Sequence, residues 1–413
     1  MTVFGLEEKM VRTLAEAVRP GTDPTPDQAG EVFARAAWSS IAEPGDGVAG
    51  VIVEHLGATE ALTAVVESWS AARLARRLAE PDEDPSGDTH QQLEQAVARW
   101  RPRLSSAEVI RSLQQAERSS TAILLPDDRL WPTGVDDLGP HAPLALWWRG
   151  RPEALAVLPR SIALVGARAA TGYGENVALE AAAGLVDRGF AIVSGAAYGI
   201  DGMAHRSALA SRGTTVAFLA GGVDRFYPSG HDALLTRIVE AGSVLSELPC
   251  GAAPTKWRFL QRNRLIAATS GATVVLEAGW RSGSLNTAGH AASLGRPLGA
   301  VPGPVTSPTS AGCHRLIREY DAVCVTNAAD MAQLVGEPVD LELDLSGADG
   351  SGSARRTSDE VRVFDALSAR SPRTVADIAR RSGLGTAGVL GALGSLDLEG
   401  AVRERDAGWV RLA

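Results

Sequence analysis

The chain is poor in cysteine, in aromatic residues and in positive charge, and it lacks most of the short motifs that announce an enzyme. Three cysteines in 413 residues, Cys250, Cys313 and Cys324, form no CxxC pair and no even framework. Neither a disulfide scaffold nor a zinc site is expected, and a reduced, cytoplasmic setting is. Aromatics are 5% of the residues, so each exposed one carries more weight as a binding platform. The N-terminus, MTVFGLEEKMVRTL, has acidic residues and no long apolar core, so no signal peptide is expected. No apolar run approaches the length that spans a bilayer, and no membrane partner is expected. GxxxxGK[ST] is absent, which excludes a P-loop at the motif level. "VGARAATGYG" follows a predicted strand but is not GxGxxG, and "SGAAYGID" is not GxSxG. No cofactor, metal or catalytic residue is expected.

The formal net charge is -9, so the surface as a whole does not attract nucleic acid; any such site must be a local basic patch. One stretch qualifies. "TKWRFLQRNRLIAATSG", residues 255–271, holds Lys256, Arg258, Arg262 and Arg264. Its apolar residues scatter around a helical axis, which predicts a loop through about Leu260 and a helix thereafter, with Arg262 and Arg264 in its first turn. Cations there oppose the helix macrodipole unless an anion binds. Two readings stay open from this stretch: the arginines hold phosphate, or they pair with carboxylates of the same chain.

At 413 residues and 45% hydrophobic, the chain has room for two or three domains and a sizeable core. Residues 1–110 read as helical. Within them "IAEPGDGVAGVIVEHLGATEAL" sets a Gly-rich turn between apolar segments, compatible with a helix-hairpin-helix unit or with an ordinary helical hairpin, since no Lys or Arg flanks the turn. "EPDEDPSGD" at 80–88 reads as an acidic loop. Short strands are expected in "TAILLPDDRLWP" and "PLALWWRG". From residue 161, apolar runs ending in Gly, Ser or another polar residue alternate with helical segments: "SIALVGAR", "FAIVSGAA", "TTVAFLAGG", "GSVLSELP", "ATVVLEAGW" and "RPLGAVPG". That alternation predicts an α/β fold, a parallel sheet covered on both faces, over 111–335. Residues 336–356 read as a flexible linker, and 357–413 as a winged-helix domain of three helices and a hairpin. The third of those helices has no Lys or Arg to read base edges, so protein contact competes with DNA binding as its role.

In a parallel sheet, ligands bind at the carboxyl edge. Arg168 beside Gly166, Ser194 and Gly195, and Gly283 with Ser284 all fall at strand ends, and the cation-rich stretch immediately precedes the fifth strand. Trp257 and Phe259 interleave with its cations, the pattern of single-strand binding, in which cations track phosphates and aromatics stack on bases; either ring also suits a core. Asp201 and His205, four apart, suit an acid–base or metal pair or a structural brace. Glu247 and Glu277 each follow a strand without a visible activating group.

In order, "VGAR", "SGAAYGID" with His205, "GGVDRFYP", "SELP", "FLQRNRLIA", "VVLEAGWRSGSLNTA" and "AVPGP" resemble the DNA-processing protein A family (DprA, also called Smf) over most of 120–335. The resemblance implies a Rossmann-like core, a helical N-terminal domain of SAM-like or helix-hairpin-helix type, and a winged-helix tail. It implies a homodimer that binds single-stranded DNA without hydrolysing nucleotides and loads the recombinase RecA on incoming DNA in natural transformation, past single-strand binding protein. By motif, the implied DNA-binding positions are Arg168, Ser194, Gly195, Lys256, Phe259, Arg262, Asn263 and Arg264. The sequence departs from the family's pattern in "SAGCHRLIREYDA", with Cys313, His314, Glu319 and Tyr320, and at Leu260 and Ala196. Two other functions remain in view: a nucleotide phosphoribohydrolase, whose PGGxGTxxE motif is missing from "PGPVTSPTSAG", and a duplex-DNA regulator acting through the winged helix.

Overall fold

A computed structural model describes residues 2–79, 87–336 and 357–412. The linker expected at 336–356 lies, from 337 onward, outside the described residues, as does most of the acidic loop expected at 80–88. The chain divides into two compact units, Met1–Val339 and Asp340–Ala413.

The first unit begins with a small hairpin, β1 (Thr2–Val3) and β2 (Leu6–Glu7), followed by seven helices: α1 (Glu8–Val18), α2 (Pro26–Ile41), α3 (Gly47–Leu56), α4 (Ala58–Val66), α5 (Ala71–Leu78), α6 (Gly87–Trp100) and α7 (Ser106–Arg118). Local signals explain their starts. Thr25 and Gln28 form a capping box before Pro26, and the carboxylate of Asp46 accepts the N–H groups of Val48 and Ala49 at the head of α3. α1 buries Val11, Leu14, Ala15 and Val18, one face at helical spacing. These helices share a core with the sheet that follows: Trp38, Trp100, Trp147 and Val244 belong to one buried cluster, and the Trp147 indole donates to the Ser39 hydroxyl at 3.1 Å. The N-terminal helices and the sheet both fall within the unit Met1–Val339.

That sheet has nine strands: β3 (Ala122–Leu124), β4 (Leu146–Gly150), β5 (Ser161–Gly166), β6 (Ala191–Ser194), β7 (Thr215–Phe218), β8 (Ser243–Ser246), β9 (Ala272–Glu277), β10 (Leu298–Ala300) and β11 (Val323–Cys324). Their order is β11-β10-β9-β5-β6-β7-β8-β4-β3. The pairs from β11 to β8 are parallel; β4 and β3 add antiparallel. Between strands run α8 (Pro152–Ala156), α9 (Gly172–Asp187), α10 (Ile200–Ala210), α11 (Asp232–Ala241), α12 (Lys256–Thr269), α13 (Ser284–Ser293), α14 (Ala311–Glu319) and α15 (Ala328–Gln333). Alternation along β5 decides the two faces. Ile162 and Leu164 meet Leu185, Ile200 and Met331 of α9, α10 and α15, whereas Ala163 and Val165 meet Leu265, Ala288 and Leu316 of α12, α13 and α14. The strand order reverses direction between β5 and β9, and a crevice opens there beyond their carboxyl ends.

The second unit is α16 (Ser358–Ala366), α17 (Val375–Ser382), α18 (Thr386–Leu398) and the hairpin β12 (Val402–Arg405) with β13 (Gly408–Arg411). It is the winged-helix architecture expected from the sequence, around Val363, Ile378, Val389, Leu393 and Val402.

Close packing around α3 makes opposite outcomes for two glycine substitutions. A Cβ on Gly50 would lie 2.0 Å from the Pro140 carbonyl oxygen, whereas one on Gly30 in α2 would meet only the Thr59 hydroxyl at 3.8 Å. Gly50→Ala is expected to destabilise by about 1–3 kcal/mol and Gly30→Ala to stabilise by up to about 1 kcal/mol, as read in urea melts of the two variants.

Candidate nucleic-acid interface

The cation-rich stretch is helical from its start, which corrects the expectation of a loop through Leu260. Thr255 caps α12 by accepting the Arg258 N–H, so the first turn carries Lys256, Trp257 and Arg258, and Arg262 and Arg264 lie further along. The helix has no apolar stripe because it buries polar groups: Arg262, Asn263 and Arg264 are enclosed along with Leu265 and Ile266. That is why hydrophobic periodicity misplaced its beginning.

Three of the four cations hold protein rather than facing solvent. Arg264 forms an ion pair with Glu247 at 2.8 Å, both side chains nearly closed to solvent, and donates to the His141 carbonyl at 2.9 Å. Arg262 donates to the carbonyls of Gly195 at 2.7 Å and Phe218 at 2.5 Å, tying together the ends of β6 and β7. Burial pulls its pKa down to about 10, which leaves it charged at neutral pH. Arg258 reaches across to Glu43, at 2.7 and 3.0 Å, in the turn between α2 and α3. Arg103 also donates to Glu43, and its two arginines hold that carboxyl below the usual range against the opposing effect of burial. The same turn offers the Gly45 N–H to Glu247 and the Gly45 carbonyl to His141. The Gly-rich turn between α2 and α3 is thus engaged within the chain. Lys256 remains exposed at the head of α12, with no carboxylate partner among the described residues and no acidic residue in its turn.

Other expected positions divide in the same way. Ser194 is fully buried and donates to the Leu164 carbonyl at 2.6 Å. Gly195 is closed off by Arg262, whose guanidinium lies 2.4 Å from where a Cβ would stand. Asn263 donates to Asn286 at 3.2 Å and accepts from Arg262 at 3.1 Å. Ser194, Gly195, Arg262 and Arg264 are thus tied into the floor and wall on which other groups stand, and Arg262 and Asn263 also line the crevice beyond β5 and β9.

What stands there is a cleft of about 500 Å³ at the β5/β9 crevice. Arg168 enters from the β5–α9 loop, exposed, its guanidinium 4.9 Å from the centre of the half-buried Phe259 ring. Ser282, Gly283 and Ser284, at the start of α13, line the cleft, and there the Ser282 hydroxyl accepts the Ser284 N–H and bonds the Ser284 hydroxyl at 2.8 Å. Two groups here escaped sequence reasoning. Arg281 lines the cleft and is exposed. Tyr227, half exposed, lies 5.6 Å from Phe259 ring to ring and widens the aromatic ledge. Arg281 had a signal, its place beside Gly283 in the loop after β9; Tyr227 had none that distinguished it from a core tyrosine.

The carboxylates near the cleft are engaged, whereas His205 is bonded through Nδ1 alone and its buried Nε2 has no partner among the described residues. Glu277 accepts the Thr171 N–H at 2.9 Å and the hydroxyls of Thr171 and Thr309 at 2.7 and 2.8 Å, which fixes the loop carrying Arg168. Asp201 accepts the N–H groups of Gly195 and Ala197, and burial raises its pKa. His205 instead faces Thr215, Nδ1 to Oγ1 at 2.7 Å, so the two do not form an acid–base pair but brace separate elements. In the departing segment, His314 lies 3.0 Å from the Gly303 carbonyl, burial pushes the Cys313 thiol up to about 12, and Glu319 accepts from Arg315 at 2.7 Å, next to the exposed Tyr320. Ala196 adopts a left-handed conformation, φ 53°, at the turn after β6.

Two outcomes follow for stability. Arg264→Ala leaves Glu247 buried and unpaired and is expected to cost about 3–5 kcal/mol in urea unfolding, most of it recovered in an Arg264→Met, Glu247→Leu double variant. His205, fully buried, has its pKa pushed down to about 3 by desolvation, from 6.5. Between those values the unfolded state binds the extra proton. Stability from this group is therefore complete above about pH 6.5 and declines as pH falls toward 3, by at most about 1.4 kcal/mol per pH unit. Urea melts across that window should show a shallower decline for His205→Gln; an identical slope would remove His205 as its source.

Comparison with known proteins gives consistent matches. The family described as DNA recombination-mediator protein A matches residues 122–336, and the one described as DprA winged helix domain matches 349–408. A Mycobacterium tuberculosis protein of the DprA name is 47% identical over 307 residues, which is 72% of this chain and 78% of that one. Protein Smf of Escherichia coli is 39% identical over 192 residues, 46% of this chain and 50% of that one. The X-ray structure of DNA processing protein A from Streptococcus pneumoniae superimposes with a TM-score of 0.56 at 27% identity, covering 74% of this chain and 97% of that one.

Proposed function

The chain belongs to the DNA recombination-mediator protein A family, and from that premise we propose that it binds single-stranded DNA in the cleft at the β5/β9 crevice and hands the strand to the recombinase RecA. It does so in the cytoplasm as a homodimer, displacing single-strand binding protein, on DNA taken up in natural transformation.

The observation that carries this reading is the makeup of the open cleft. Arg168 and Arg281 are left to an outside anion, Lys256 stands on the neighbouring turn, and Phe259 with Tyr227 offers ring faces beside them. Phosphates suit the first set and bases the second. The cleft is open rather than sealed, as a polymer passing through requires. Cations beside ring faces suit a single strand, whose unstacked bases can lie on the rings. Nucleotide hydrolysis is not part of this function: Asp201, which lines the cleft, accepts the N–H groups of Gly195 and Ala197, and Glu277 at the end of β9 accepts from Thr171 and Thr309. Among the described residues no single helix is long and apolar enough to cross a membrane.

The assignment of roles is testable by anisotropy with labelled oligonucleotides over a salt series. Lys256→Ala and Arg168→Ala should each weaken binding to every sequence and flatten the log–log salt dependence by about 0.7. Phe259→Ala removes a ring and no charge, so it should cost about 1–3 kcal/mol and leave the salt slope as it was. Parent affinity in all three variants, with parent melting temperatures, would move the strand away from this cleft.

A further inference from the structure

A second cleft, of about 720 Å³, opens between α7 and the segment Leu248–Ala252 that follows β8. Arg111 and Arg118 of α7 line one side and Arg225, from the loop after β7, lines the other. All three are exposed. Arg111 has Glu108 at 3.7 Å, a long exposed pair of little strength, and the side chains of Arg118 and Arg225 have no ion pair or hydrogen bond among the described residues. The other acidic group in the wall, Asp224, is engaged with the Gly251 N–H at 2.9 Å. Ser112 lines the same cleft, 7% exposed, and its hydroxyl has no partner. In a chain of net charge -9, three such cations around one cavity form a local reversal of sign that nothing within the first unit uses.

This cleft and the aromatic ledge are carried by neighbouring residues of the same segments. Arg225 and Tyr227 are two residues apart in one loop, so their Cα atoms lie within about 7 Å, and the Tyr227 ring packs on Phe259. On the other strand of the path, Arg258 lines the second cleft while its neighbour Phe259 lines the first. We infer that a bound single strand does not end at Phe259 but runs over Tyr227 and Arg225 into the second cleft, where Arg225, Arg118 and Arg111 take phosphates. The helical N-terminal layer thereby contributes directly to the DNA track, through α7. This rests on the single-strand reading of the first cleft.

Strand length separates the two sites. An oligothymidylate of about 6 nucleotides fits the first cleft, and one of about 20 reaches both. In an Arg111→Ala, Arg118→Ala, Arg225→Ala variant of the full chain, the short strand should bind within about twofold of the parent. For the long strand the salt slope should flatten by about 2, the sum of three single-strand phosphate contacts. The matching triple lysine variant should keep the parent slope, which excludes damage to the fold as the cause. A long-strand slope unchanged in the triple alanine variant overturns the second cleft as part of the track and leaves it to another partner, such as an acidic protein surface. Failure of the parent chain to bind either length overturns the first reading, and this inference with it.

Discussion

The buried pairing of Arg264 with Glu247, and with it the grip of Arg262 on the ends of β6 and β7, is the constraint on which the rest of the first unit depends. A charged guanidinium enclosed in protein is tolerated only when its donors are filled. Here they are filled by a carboxylate just beyond β8, by the His141 carbonyl in the segment beneath α3, and by two strand-end carbonyls. Because those partners belong to different elements, α12 has one position and one rotation. Arg258 extends the same logic to the N-terminal helices through Glu43, so that helix fixes layer to layer as well as helix to sheet.

That fixed helix determines which groups are left over. Its first turn presents Lys256 without a carboxylate, and its next residues present Phe259 to the crevice. Facing it, Glu277 holds the β5–α9 loop so that Arg168 lies over the Phe259 ring. Cations with unfilled donors, ring faces and a helix N-terminus are then concentrated at one edge, while the carboxylates nearby are already engaged. Local positive potential in an acidic protein arises from this separation of paired and unpaired charge rather than from the number of basic residues. A surface of this kind has the charge and ring faces that a polyanion with bases would meet.

The alternation of apolar runs with helical segments from residue 161 onward was enough to read the parallel sheet, because a strand buried on both faces leaves a continuous apolar signature and its carboxyl end leaves Gly or Ser. The winged-helix tail was legible for the same local reasons, and the ordered motifs over 120–335 were enough to read the family. The density of cations at 256–264 also marked α12 as special. Sequence could not say which way each side chain turned. Four cations close in sequence lie at different angles around a helix, and only the packed neighbours decide that Arg262 and Arg264 are buried, that Arg258 reaches Glu43 and that Lys256 is exposed. Tyr227 joined the ledge, and Arg111, Arg118 and Arg225 met around one cavity, only because distant segments fold together; residues 111 and 225 share no local pattern that could have announced it. Periodicity and composition are properties of neighbours along the chain, whereas burial and pairing are properties of neighbours in space, and the second kind decided which charges of this protein are engaged within the fold and which are left exposed.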